Sequence, residues 1–430
     1  MFTGPQIIKG DGALGARAAS DDNILGLVIS APLPTLGGGG GSDSTADDDY
    51  YTTYGTSVKL IQASDADALG LDASYDANKS VLVRYHIDEF FRLNPQGTLW
   101  LMLVAQTVTL AQMCDKVNAY VQKLVSDSDK KVKTIGVVRN PANGYTPTIT
   151  DGIDVDVTNA VVKAQALVDA WRVNNIFVDM IVIEGRSMSL TASQWINLRS
   201  LLCANIHVCA LQDNDIANLD AAFAGHAAVG TVLGGIGVRR VEEDLGSVNA
   251  ENNPDSGAAN FPINNAADGL WINPGISSGK LMKDMTAPEV ALLKTNGFVF
   301  ADSYPEYPGV YFSGSPACTD LSSDYAYGVN TRVWNKGARK AVFKLTPKFN
   351  SKVQLIGGKI KATTIFSWES DVNNSNDGLG SLVSDGYCTK AKTSIDPNQD
   401  VFGTSKVVVK MSITPYGYSR VIEGELGFSI

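Results

Sequence analysis

Ser277 lies in Gly275-Ile-Ser277-Ser-Gly279, the G-x-S-x-G spacing that presents a nucleophilic serine on a sharp strand-to-helix turn. In α/β-hydrolases the partner histidine follows the serine, whereas His86, His207 and His226 all precede it. Pro274 also suits a loop, so the motif reads as a plain Gly/Ser loop. Cys203, His207 and Cys209 could begin a metal site, because alternation on a strand over 205–211 puts His207 and Cys209 on one face. A structural zinc needs a fourth ligand and C-x-x-C-like spacing, and neither is visible. Buried thiols beside a hydrogen-bonded histidine fit better. Asp151, Asp154 and Asp156 resemble the start of a calcium loop, but Asn159 and Gln165 stand where such a loop requires Gly and Glu. These carboxylates suit the positive end of a helix beginning there. Leu233-Gly-Gly-Ile-Gly237 has Arg240 in place of the third glycine of a dinucleotide fingerprint, and it ends a helix instead of opening one. Residues 227–235 rather supply a small-residue face for close helix packing. No catalytic residue, cofactor site or metal site is assigned, and the chain is not expected to be an enzyme.

One constellation survives. Arg332, Lys336, Arg339, Lys340 and Lys344 recur at intervals of three and four along one helix. They form a basic stripe on an otherwise acidic chain. A solvated face and a docking stripe for an acidic partner both fit the pattern. Gly337 inside that helix costs about 1 kcal/mol relative to Ala. A close approach by another backbone would explain it, as would a kink.

The elements that must carry these residues alternate. A helix near 77–93 ends at Asn94-Pro95, and LWLMLVA (99–105) follows as a strand apolar on both faces. A helix near 109–125 leads to strand 133–139, and one near 157–173 leads to strand 177–184. Thr191-x-x-Gln194 has the spacing of a capping box, opening a helix to Cys203 before strand 205–211; another helix starts near Ile216. Strands of this kind between helices mark a mainly parallel sheet covered on both faces. Ser64 and Gly70 bracket a short helix. Residues 36–49, with five consecutive glycines and then SDSTADDD, read as a mobile surface loop, and 371–380 as an exposed loop on a strand connection. Thr286-x-x-Glu289 opens a helix that stops at Asn296-Gly297. The end of the chain, SKVVVKMSITPYGYSRVIEGELGFSI, reads as a hairpin whose second strand runs to Ile430 with no polar tail. An apolar strand in that position invites pairing with another chain.

The bulk numbers agree with a folded protein of two or three domains: 430 residues, 44% apolar and 19% charged. A net charge of −10 argues against a nucleic-acid partner. No apolar run reaches the roughly 20 residues of a membrane span, and MFTGPQIIKGDG lacks a secretory core, so no membrane partner is expected. Five cysteines without a C-x-x-C pair fit a reducing cytosol with free thiols.

Two stretches resemble the tail sheath proteins of contractile phages and related contractile injection systems. HIDEFFRLNPQGTLWLMLV (86–104) is similar to the sheath pattern of a helix ending in a double Phe, a short Asn/Gly turn and an apolar strand. LLKTNGFVFADSYPEYPGVYFSG (292–314), then DYAYGVNTRVWNKGARKAV (324–342) and the terminal hairpin, resemble the sheath C-terminal domain with its Arg/Lys helix. The resemblance implies a structural subunit of a contractile tail sheath, which polymerises around an inner tube and contracts to drive it through a target envelope. It implies a virion tail or contractile particle assembled in the bacterial host cytoplasm. The implied partners are identical sheath subunits, the inner tube protein, and baseplate and tail terminator proteins. Donor strands pass between neighbours: Gly424, Glu425, Leu426, Gly427, Phe428, Ser429 and Ile430 at one end, and the arm around Ile7 to Leu27 at the other. Arg332, Lys336, Arg339 and Lys340 match the helix that faces the tube. A non-contractile tail terminator or ring-forming virion protein is the alternative.

The expected fold class is α/β, with a mainly parallel α/β N-terminal and middle domain plus an α+β C-terminal sheath assembly domain with donor strands. Its boundaries are 1–30 for the arm and first strand, 31–240 for the α/β domain, 241–270 for a loop or join, and 271–430 for the assembly domain.

Overall fold

Long apolar strands separated by helices do form one open sheet. The computed structural model describes residues 21–34, 52–118, 120–249 and 260–424. The strands are β1 (Ile24–Ser30), β2 (Ser57–Leu60), β3 (Thr98–Val104), β4 (Thr134–Arg139), β5 (Met180–Glu184), β6 (Ile206–Cys209) and β7 (Phe298–Val299). They lie in the order β7-β6-β5-β4-β1-β3-β2, and every pairing is parallel except β2 with β3. Parallel neighbours need long crossovers, which contain α1 (Val83–Leu93), α2 (Leu110–Cys114), α3 (Tyr120–Asp127), α4 (Val155–Val173), α5 (Val229–Val238) and α6 (Ala287–Asn296). The fold is α/β with a mainly parallel sheet, as the pattern predicts. Among the described residues no helix is long and apolar enough to cross a membrane.

Alternation along each strand sorts the core into two layers. Leu25, Leu27 and Ile29 face α1 and α5, while Val28, Ile135, Val137, Ile181 and Ile183 face α2, α3 and α4. The small-residue face expected on 227–235 is what lets α5 lie against α1. A Cβ built on Gly230 would come within 2.2 Å of the His86 carbonyl oxygen, and one on Gly234 within 2.7 Å of that of Phe90. Backbone cannot yield as a side-chain tip can, so overlap outweighs the helix propensity that alanine would add. Gly230→Ala is expected to cost about 2–3 kcal/mol, read as a lower midpoint in urea unfolding; an unchanged midpoint would contradict this packing.

Several expected elements differ. The helix near 77–93 is two, Tyr75–Lys79 and α1, broken by Ser80 at φ 51°. That near 109–125 splits into α2 and α3, because the Asp115 carboxylate turns back to the Val117 N–H (2.9 Å). The helix from Thr191 to Cys203 shrinks to two short turns, Ala192–Gln194 and Leu198–Leu201. There Gln194 Oε1 accepts from Ser189 Oγ (2.6 Å), and Asn197 caps the second turn through the Arg199 N–H. The stop at Gly297 holds, with φ 85° and its N–H on Leu293 and Lys294 carbonyls.

The segment beginning at 271 is not a separate body. Pro274–Ile276 pairs with Leu211–Asp213, and β7 joins the main sheet beside β6. The residues that build a core of their own lie later, around α7 (Gly328–Leu345), α8 (Ala362–Val372) and an antiparallel hairpin of β8 (Lys390–Ile395) and β9 (Val409–Thr414). Val333, Val372, Leu379, Leu382 and Cys388 fill it with Val241. The 371–380 segment, expected to be exposed throughout, contributes Val372 and Leu379 to this core. The proposed N-terminal donor arm also needs correction at its end: Ile24 to Leu27 belong to β1, paired with strands on both sides and unable to leave. Residues 7–20 of that arm, and the loop at 36–49, lie outside the described residues.

Candidate assembly interface

Open α/β sheets bind ligands outside the carboxyl ends of their strands, at the point where the strand order reverses. Here that point is β1, flanked by β3 and β4. A cleft of about 680 Å³ lies there, lined by Ser80, Gln106, Asn143, Arg186 and Asp220 among others. The positive helix ends beneath it are already occupied by the chain's own carboxylates. Asp76 accepts from the N–H groups of Val83, Arg84 and Tyr85 at the start of α1. Burial raises its pKa to about 6 despite these donors. Asp156 accepts from Leu110 and Ala111 at the start of α2 and binds Arg139 at 2.8 Å. Glu184, fully buried, accepts from the Arg139 and Ala227 N–H groups and from Arg186. Burial pushes its pKa up as well. Sequence spacing gives no hint of these caps, since Asp156 and Glu184 serve groups more than forty residues away.

The motifs with chemical spacing are scattered by the fold. Ser277 is buried and its hydroxyl donates to the Gly185 carbonyl. Cys203 faces one core layer and Cys209 the other. His207 is held through Nδ1 on the Pro316 carbonyl (2.8 Å), and burial pushes its pKa down to about 4. Asp154 caps α4 as expected, and also accepts from the Tyr145 hydroxyl (2.5 Å). Asp156, as above, serves a different helix. Among the described residues no three metal-ligating side chains converge.

The basic stripe on α7 turns out to be an internal seam. Arg332 is buried, and its guanidinium donates to the carbonyls of Ile236, Arg239 and Arg240. Lys336 pairs with Asp22, Arg339 with Asp179 at 2.7 Å, and Lys344 with Asp377 at 2.5 Å. The solvated-face reading therefore fails for most of the stripe, and Arg332 cannot reach a partner at all. Partly exposed Lys340 keeps an outward position, beside Lys336, Arg339 and Phe343 in a shallow pocket. Gly337 is explained by side chains, not by a kink: a Cβ there would meet Ile413 Cδ1 at 2.4 Å and Leu382 at 3.1 Å. It lets the β8–β9 hairpin close onto α7.

That hairpin presents one covered and one open edge. The N–H groups of Thr393 and Ile395 point away from β9 and are taken by Asn373 (2.9 Å) and Glu369 (2.7 Å) side chains. Their register partners Met411 and Val409 therefore turn their N–H groups the other way, where no further strand lies among the described residues. The expected terminal hairpin thus has a different first strand: β9 pairs backward with β8, and residues 415–424 are not strand. They run back over the main body. Tyr418 donates to the Glu242 carbonyl (2.6 Å), while Arg420 binds Asp244 (2.9 Å) and lies 3.4 Å over the Tyr327 ring. Beyond this anchor Val421 and Ile422 are exposed. Of the expected donor residues only Gly424 falls among those described, and it is exposed; Glu425 to Ile430 lie outside them. The exposed phenylalanines of the described residues, Phe343, Phe349, Phe366 and Phe402, all belong to this C-terminal part.

Residues 44–316 match the N-terminal domain of the family DUF2586. The chain belongs to the DUF2586 family. In this DUF2586 protein α7, the hairpin and the tail anchor all follow the matched domain. Solved structures cover the whole chain. The helical sheath of the anti-feeding prophage in its contracted state is 13% identical, covers 99% of each chain and superposes with a TM-score of 0.57. The contracted sheath complex of an extracellular contractile injection system, PVC, is 11% identical over 99% of this chain and 97% of that one, with a TM-score of 0.56. A baseplate structure of the anti-feeding prophage is 12% identical over 100% of both chains, with a TM-score of 0.57. The DUF2586 chain therefore has the fold of contractile sheath proteins along its full length. Curated proteins gave no match to the sequence.

Proposed function

We propose that this DUF2586 chain is a subunit of a contractile sheath. It polymerises with identical copies around an inner tube and contracts to drive the tube through a target envelope. The observation that carries this is the end-to-end likeness to two contracted sheaths, which includes the C-terminal hairpin as well as the α/β body. The open edge of β9 supports strand addition: Val409, Met411 and Ile413 can accept a strand from a neighbour, backbone giving affinity and alternate side chains giving register. The donor is the tail of an adjacent subunit. Its root is fixed by Tyr418 and Arg420, so Val421 onward, including Gly424 to Ile430, is the part that crosses.

On this reading the role is mechanical, with no catalytic step and no cofactor. The particle is phage-tail-like, assembled in the host cytoplasm, with baseplate and terminator proteins at its ends. Tube contact rests chiefly on Lys340, because Arg332, Lys336 and Arg339 are engaged within the subunit. Negative-stain microscopy of the purified protein is the test. Hollow cylinders with helical striations are expected; discrete rings would favour a terminator, and a monomer at high concentration would overturn both.

A further inference from the structure

Charge is segregated along this chain. Residues 325–368 hold nine Lys and Arg and not one Asp or Glu, so the rest of the chain carries a formal charge of −19. Arg332, Lys336, Arg339, Lys344 and Lys348 are spent inside the subunit, the last on Asp371. Lys352 and Lys359 are exposed. They flank a small two-stranded turn, Leu355–Ile356 with Lys359–Ile360, closed by Gly357 and Gly358. Both glycines have positive φ (57° and 77°), the backbone that a tight two-residue hairpin requires. Ile356 on this turn is 64% exposed and nearby Phe349 is 80% exposed. The element is thus a projecting tip that is basic and apolar together.

The opposite character lies on another stretch of the chain. Residues 61–88 carry Asp65, Asp67, Asp72, Asp76 and Asp88 against Lys79 and Arg84. Asp67, Asp72 and Asp88 are exposed; Asp67 and Asp88 share the single cation of Arg84, which leaves the cluster acidic, and Ile61 (58% exposed) and Tyr54 (43%) add exposed apolar groups to this stretch. This face covers α1 and the β2 edge of the sheet, whereas α7, which leads into the tip, lies under the amino ends of β1 and β5 through Asp22, Val178 and Asp179. Within one subunit the ion pairs of the basic stretch go to Asp22, Asp179, Asp371 and Asp377 instead.

We propose that the basic tip around Lys352 and Lys359 docks on the acidic face around Asp67, Asp72 and Asp88 of a second copy of this chain. Two different patches meeting head to tail make a heterologous contact, which propagates into rings or helices instead of closing as a dimer. Complementary charge sets the approach and register, and the apolar groups beside it supply buried area. The inference rests on the sheath reading and adds which surfaces of neighbouring subunits meet.

Charge exchange tests it. One variant combines Lys352→Glu and Lys359→Glu; the other combines Asp67→Lys, Asp72→Lys and Asp88→Lys. Each alone now carries like charge on both faces, and its threshold concentration for polymerisation is expected to rise at least about tenfold, by sedimentation, since like charges oppose docking. An equimolar mixture of the two is expected to polymerise again, as an alternating copolymer. Circular dichroism confirms folding, and should the acidic-face variant misfold, Asp72→Lys paired with Lys359→Glu gives the same comparison. If the lysine variant polymerises like the parent protein, or only loses uptake of the tube, the proposal is wrong. Failure of the parent protein to polymerise would instead overturn the sheath reading itself.

Discussion

Replacing Met411 by proline is expected to leave the subunit folded and to abolish polymerisation. The reasoning begins with β8. Because the Thr393 and Ile395 N–H groups are taken by Asn373 and Glu369, odd-numbered residues of β8 turn away from β9. Met411, opposite Thr393, turns away in the other direction and faces the open edge. Proline has no N–H to give, but at an edge position that loss breaks no bond of the existing hairpin. Its fixed φ is tolerated on an edge strand. The cost to the subunit is therefore small, while an incoming strand loses a ladder bond and meets the proline ring. Met411→Ala is the control, since it keeps the backbone donor and removes only a side chain that is 43% exposed. Met411→Ala should polymerise normally and Met411→Pro should sediment as a monomer with an unchanged melting temperature. Normal polymerisation of the proline variant would remove β9 as the acceptor.

Glu184→Ala should be the most destabilising substitution in the α/β body, at about 3–5 kcal/mol. Its carboxylate is completely buried and joins three donors from separate elements: the Arg139 N–H at 2.9 Å, the Ala227 N–H at 3.1 Å and Arg186 at 3.0 Å. Removing it leaves two buried backbone N–H groups without their acceptor and the Arg186 guanidinium without its carboxylate, with only the Arg139 carbonyl in its place. Glu184→Gln retains an acceptor of similar shape and should lose less. Urea unfolding of the two variants gives the comparison. If alanine costs no more than glutamine, the carboxylate is not holding this edge together. The position has a further meaning, because it lies where related architectures receive a ligand's negative charge. Here the chain supplies that charge itself.

Much of the α/β body was legible because its signals are local. Apolar runs such as 99–105 and 205–211 announced buried parallel strands, and Gly297 announced a helix stop. What misled were polar residues whose partners are remote. Thr191 and Gln194 have capping-box spacing, yet Ser189 competes for the Gln194 side chain. The α7 stripe has the periodicity of an exposed face, yet Asp22, more than three hundred residues away in sequence, takes Lys336. Periodicity reports that residues share a side of a helix and is silent about what covers that side. The terminal hairpin failed for a related reason. The β9 sequence was recognisable, but its partner could only be chosen by knowing that Gly337 leaves room for Ile413 on α7.

Helical reconstruction of the assembled polymer tests strand exchange most directly. The prediction is a strand from an adjacent copy, residues 424–430, hydrogen-bonded along Val409 to Ile413, with Tyr418 and Arg420 still anchored on their own subunit. A polymer in which the outer edge of β9 faces solvent, or in which each tail folds back onto its own hairpin, would contradict it.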